Sequence, residues 1–153
     1  MTWLDRLLRL PLTAAHALLK LSWRMRRPRT FGAHAVALTP GRRIVLVRLR
    51  YAPGWRLPGG GHGPAEDPRD AVLRELREEI GLVSHGEVRI AAELEENVHS
   101  KRDLASLFIV EDVRYRPRWS WEIEQVMEAG PDDLPADLAA STANWLAALR
   151  GRL

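Results

Sequence analysis

The 153-residue chain contains no cysteine, which excludes a disulfide framework, a thiolate zinc site and a cysteine nucleophile. It also lacks a membrane span. The longest uncharged stretch near the N-terminus, Leu10–Leu19, is half of what a span needs and contains Pro11 and His16. A secretory leader is disfavoured because Arg9 interrupts the apolar region before Ala15-His16-Ala17. Lysine is scarce as well, 2 of 23 basic residues, a bias of composition rather than a functional signal. What is present is globular: 46% hydrophobic and 28% charged residues, in a length that suits one domain.

The net charge of +3 divides unevenly. Residues 1–30 hold seven of the 23 basic groups and one of the 20 acids, +6, which leaves 16 bases and 19 acids, −3, for the rest. This is a basic arm (1–30) on a slightly acidic body (31–153), and no stable nucleic-acid partner is expected of such a body. Residues 3–26 read as an N-terminal helix broken or kinked at Pro11. It either packs its apolar face on the domain, the favoured reading, or serves as a basic amphipathic contact to an anionic membrane surface. The expected location is cytoplasmic, with peripheral membrane contact through residues 1–30 left open.

From Phe31 the texture is β-rich. Segments 33–39 and 43–50 flank Pro40-Gly41 and are expected to form a hairpin. In the second, Ile44, Leu46 and Arg48 alternate with Val45, Val47 and Leu49. A loop with glycines and prolines covers 51–66. Asp67 and Pro68 then open a helix running through Ile80, with Gly81 as its stop. Two further strands are expected at 87–98 and 104–115, and a closing helix at about 135–150 with Leu138, Thr142, Trp145 and Leu149 on one stripe. The chain is one α/β or α+β domain.

On the 68–80 helix, with Glu75 set at zero, Glu79 lies at about 40° and Glu78 at about −60°. Three carboxylates share one arc beside Val72, Leu73, Leu76 and Ile80. Like charges at these spacings cost a helix roughly 0.2–0.5 kcal/mol per pair, and the C-terminal end prefers cations. A divalent cation would relieve that repulsion, and oxygen ligands suit Mg²⁺ or Mn²⁺ rather than zinc. Taken alone, the helix favours a solvated acidic face partnered by Arg74 and Arg77 over a metal site.

The spacing to the preceding loop decides between these. Gly60, five residues, Glu66, seven residues, then Arg74-Glu75-Leu76-Arg77-Glu78-Glu79-Ile80-Gly81-Leu82 resembles the Nudix box, G-x5-E-x7-R-E-U-x-E-E-x-G-U with U apolar, at every specified position. Chance agreement is on the order of one in a billion. The resemblance implies a Nudix-like α/β/α sandwich with a mixed sheet, preceded here by the N-terminal helix. It further implies a hydrolase that cleaves a nucleoside diphosphate linked to another moiety, with Mg²⁺ (or Mn²⁺) as cofactor and a nucleotide-type small molecule as substrate. By the same resemblance Glu78 and Glu79 are metal ligands, Glu75 joins them, and Gly60 offers its carbonyl. Glu66, Arg74 and Gly81 take structural roles.

The family often adds a carboxylate from a loop after the box. Glu122 is the first candidate and Glu124 the second, counted back from Leu134-Pro135, although Glu128 stands where an aromatic is usual. No substrate marker occupies Asn97-Val98-His99-Ser100. Tyr51, Trp55, Trp119 and Trp121 are capable of stacking on a base, but core or rim positions are the favoured reading. A non-catalytic nucleotide-sensing domain is the alternative class. Loss of box acids is its usual sign, and none is lost here.

Overall fold

The computed structural model describes residues 31–98 and 101–152; the helix expected over 3–26 lies outside them. The elements are β1 (Phe31–Ala37), β2 (Ile44–Leu49), β3 (Trp55–Arg56), β4 (Gly59–His62), α1 (Pro68–Glu79), β5 (Leu82–Ser84), β6 (Val88–Val98), β7 (Lys101–Val110), β8 (Arg114–Tyr115), β9 (Ile123–Ala129) and α2 (Ala140–Leu149). Strands β4-β1-β7-β6 form a mixed sheet, in which β1 and β7 run parallel. Strands β3-β2-β9 form an antiparallel one, and β5 pairs with β8.

Strand alternation sorts the core into two layers. Ala33, Ala35 and Ala37 of β1, Val45 and Val47 of β2 and Phe108 and Val110 of β7 pack with Ala71, Val72, Leu76 and Ile80 of the α1 region. The opposite set, Val36, Leu46, Leu107 and Ile109, packs with Trp145, Leu146 and Leu149 of α2. Helices therefore flank the β-layer on both sides, the α/β/α arrangement expected. The alanines beneath α1 keep that face shallow, which draws the helix close to β1 and β4.

Three expectations are corrected. Pro40-Gly41 does sit in a turn, closed by Arg42 N–H to Thr39 O at 2.8 Å, but β1 and β2 do not form a hairpin ladder. They share one bridge, Leu38–Ile44, and then part, because β1 is claimed on both edges by β4 and β7. The strand expected over 104–115 ends at Val110. Asp112 turns the chain at φ 51°, and 114–115 pairs with β5 instead. The closing helix starts at Ala140, not near Pro135. The stretch before it is tied to β3 by Trp55 N–H to Asp137 O and Ala139 N–H to Trp55 O, both 2.9 Å.

Candidate active site

Local chemistry places α1. The Asp67 carboxylate accepts from Arg69 N–H at 2.8 Å, Pro68 opens the helix and Ile80 caps it. Gly81 leaves at φ 71°, where a Cβ would lie 2.0 Å from Arg116 O, so only glycine makes this exit. The apolar stripe buries Val72, Leu76 and Ile80 completely and carries Glu79 inward with it. Glu79 is 8% exposed, and its Oε2 accepts from Gly59 N–H at 2.8 Å. Burial pushes its carboxyl up to about 8; Gly59 opposes this, while the charges of Glu75, Glu122 and Glu78 add to it.

Glu75 is also pushed upward by burial, against the pull of the Arg74 guanidinium 2.7 Å away. Arg74 reaches Glu66 at 2.9 Å and Glu78 at 3.5 Å. It thus joins Glu66 of the loop to two acids of α1, and the Glu66 carboxyl is held below its usual range. Gly60 sits against Glu75: a Cβ there would meet Oε1 at 2.7 Å. At Gly59, φ 145°, a Cβ would lie 2.3 Å from Ala33 O. The glycines therefore let backbone, and no side chain, form this side of the site.

Glu122 arrives from the turn before β9. Ser120 Oγ accepts from the N–H groups of Glu122 and Ile123, each 3.1 Å, and Arg50 N–H donates to Glu122 O at 2.9 Å. The Tyr51 hydroxyl donates to Glu122 Oε1; burial and this bond push the phenol pKa up. Glu79 and Glu122 line a cleft of about 250 Å³ together with Tyr51, Gly59, Gly60 and Gly61. His34, Arg56, Ser141, Thr142 and Trp145 line the same cleft. The His34 ring lies 4.8 Å from that of Trp145, and burial, then the Arg56 charge, pushes its pKa down to about 4. The imidazole is neutral at ordinary pH.

The family model of the NUDIX domain matches residues 28–149. The chain belongs to the Nudix family. Among solved Nudix structures, a MutT hydrolase from Burkholderia pseudomallei superposes with a TM-score of 0.66 at 25% identity, covering 78% of this chain and 96% of that one. The MutT protein of Methanosarcina mazei gives 0.63 at 22%, covering 82% and 96%. An RNA pyrophosphohydrolase of Pseudomonas savastanoi is 53% identical over 49 residues, 32% of this chain and 30% of its own length. The curated relatives are thus matched over about a third of their length or less.

The Nudix box folds so that Glu75 and Glu79 turn towards Gly59–Gly61, while Glu78 stays at the rim with its side chain 60% exposed. Glu122 joins the cleft; Glu124 is exposed and does not line it. Among the described residues no three His, Asp or Glu side chains are gathered closely enough to hold a metal as they stand. Arg74 engages Glu66, Glu75 and Glu78, Tyr51 engages Glu122, and Gly59 engages Glu79. Trp55 is in the core, with the Arg48 guanidinium 4.7 Å above its ring. Trp119 and Trp121 are 69% and 83% exposed and meet edge to face at 4.5 Å. Sequence reasoning missed His34, Arg56, Ser141 and Trp145 as cleft residues. No described helix is long and apolar enough to cross a membrane.

Proposed function

We propose that this Nudix chain is a divalent-metal-dependent pyrophosphohydrolase, cleaving a nucleoside diphosphate linked to another moiety by attack of water on phosphorus. The observation that carries the reading is the convergence of Glu75, Glu79 and Glu122 beside the Gly59–Gly61 backbone. The donor set suits Mg²⁺, with Mn²⁺ second: it is all oxygen, and burial, with the neighbouring carboxylates adding to it, holds a proton on Glu79 that a cation would displace. The Gly60 carbonyl and the carboxylates of Glu75, Glu78, Glu79 and Glu122 would hold it. When bound, the metal neutralises the pyrophosphate and acidifies a bound water.

The chain's own residues supply the rest. Gly59, Gly60 and Gly61 let the phosphates approach main-chain atoms without steric cost. Arg74 and Glu66 fix the loop over α1, and Tyr51 orients Glu122. A carboxylate of this group accepts the proton as the water oxygen bonds to phosphorus and the bridging P–O bond breaks. The presence of every box acid supports turnover over nucleotide sensing. The proposal includes a division into a basic arm, 1–30, and a catalytic domain, 31–153. It also includes a cytoplasmic setting, with the +6 arm packed on the domain as the favoured reading and contact with an anionic surface as the alternative.

A screen of purified chain with Mg²⁺ against dNTPs and nucleoside diphosphate derivatives, reading phosphate after phosphatase coupling, tests this. Hydrolysis abolished by excess EDTA is expected. Inactivity on every compound, or full activity in EDTA, contradicts it.

A further inference from the structure

A guanidinium nitrogen withdrawn from water without a partner is costly, and the cleft contains one. Arg56 lies on β3, where alternation sends Trp55 into the core and Arg56 to the cleft. Among the described residues it makes no ion pair. Its Nε is shielded from solvent and has no hydrogen-bond partner there, and Nη2 makes only a long bond to Pro53 O, 3.4 Å. Its charge is felt by both His34 and Tyr51, which line the same cleft.

Two neighbouring features have the same polarity. The first turn of α2 opens on the cleft through Ser141 and Thr142, and its N-cap, Ala139, makes no side-chain cap bond. The leading N–H groups are therefore not capped by that side chain, and they carry the positive end of the helix dipole. The Thr142 hydroxyl is taken up by Leu57 N–H at 3.2 Å, and Ser141 presents the second hydroxyl. His34 Nδ1 adds another buried polar atom with no partner among the described residues. Val47, Leu49 and Leu57 complete an otherwise apolar lining.

We propose that Arg56, Ser141 and the N-terminal turn of α2 form a second substrate subsite, in the cleft that Glu79 and Glu122 also line, that binds a group presenting oxygen or nitrogen acceptors and no donor. The proposal rests on the pyrophosphohydrolase reading of the same cleft. Arg and helix N–H groups donate only, so an amino group in this position meets unsatisfied donors. Two parts of a nucleotide have the required chemistry: a phosphate outside the cleaved linkage, and the N7/O6 edge of a guanine-type base. Because acids and donors are different residues of one cleft, a bound nucleotide is oriented by which of its groups meets each. That orientation selects which phosphorus faces the metal.

The test uses the full chain, Arg56→Ala, Arg56→Lys and Ser141→Ala. KM and kcat are measured with Mg²⁺ for GTP, ATP and ADP-ribose, beside thermal melts and calorimetric titration of each nucleotide in Ca²⁺. Arg56→Ala is expected to raise KM on the order of tenfold or more while kcat stays within about threefold. Arg56→Lys restores part of the loss, and Ser141→Ala gives a smaller rise. A rise confined to GTP assigns the base edge. A rise shared by GTP and ATP but not ADP-ribose assigns a phosphate. Unchanged KM values in an active enzyme overturn the subsite and leave the hydrolase reading intact, as does a uniform fall in kcat with an earlier melt. Should the wild type turn over none of the three, the hydrolase reading is decided by the wider screen above and the subsite by calorimetry. Weaker GTP or ATP binding by Arg56→Ala supports it, and equal or absent binding overturns it.

Discussion

The acidic wall, from α1 and the turn before β9, brings Glu79 and Glu122 to the cleft with Glu75 behind Gly60 and Glu78 at the rim, whereas the donor wall, from β3 and the start of α2, brings Arg56 and Ser141. The acidic wall is propped internally: Arg74, Gly59 N–H and Tyr51 each engage a carboxylate. The donor wall has no equivalent, and Arg56 Nε has no partner among the described residues. The contrast teaches that neither wall completes its own charge balance. A metal completes one and an acceptor group the other, which is the polarity of a metal-bound pyrophosphate compound.

The comparison breaks most sharply at Glu79. Glu79→Gln should lower kcat on the order of a thousandfold or more and melt no earlier than wild type, because a buried acid pushed up to about 8 is replaced by a neutral isostere. Steady-state rates beside melts check both halves. Next is Gly60→Ala, whose Cβ would fall 2.7 Å from Glu75 Oε1. Displacing that carboxylate should reduce turnover on the order of a hundredfold, with nucleotide affinity in Ca²⁺ little changed.

Local signals made the acidic wall legible in the sequence. Asp67, Pro68 and Gly81 mark helix ends by their own backbone chemistry, and spacing alone placed the three glutamates on one arc. The donor wall carried no such signal. Arg56 is one arginine in a two-residue strand, and it reaches the cleft only through the register of β3 on β2, Val47 opposite Arg56. The α2 start was misplaced because Pro135 has the look of a first helical residue, yet Asp137 and Ala139 bond to Trp55 across a long sequence gap. Strand β9 was read only as a carrier of carboxylates, because Glu124, Gln125 and Glu128 on a sheet edge interrupt its apolar pattern. The expected hairpin failed for a related reason: a turn is local, but which strand pairs with β1 is settled by distant β4 and β7.

Arg74→Gln sharpens the comparison by loosening the internal props. Partly exposed ion pairs contribute about 1 kcal/mol or less each, so a modest loss of stability with a roughly tenfold loss of turnover is expected, since the loop is displaced from α1. A rise in KM alone, with an unchanged melt, would assign Arg74 to phosphate binding instead. The smallest effect belongs to His34. Its folded pKa, about 4, lies below the unfolded value of 6.5, so the unfolded state binds more protons between those values. Stability should be fully present above pH 6.5 and decline towards pH 4, by on the order of 2 kcal/mol after allowance for partial exposure. His34→Gln should flatten that decline in denaturant titrations at pH 7 and pH 4.5.

Calorimetric titration of Mn²⁺ into the full chain and into Glu79→Gln addresses the central claim, that the acids of α1 and Glu122 form one divalent-metal site. Saturable binding by the wild type, weakened on the order of tenfold or more in the variant, is the predicted result. Equal affinity in the two proteins, or no binding by the wild type, would contradict the account.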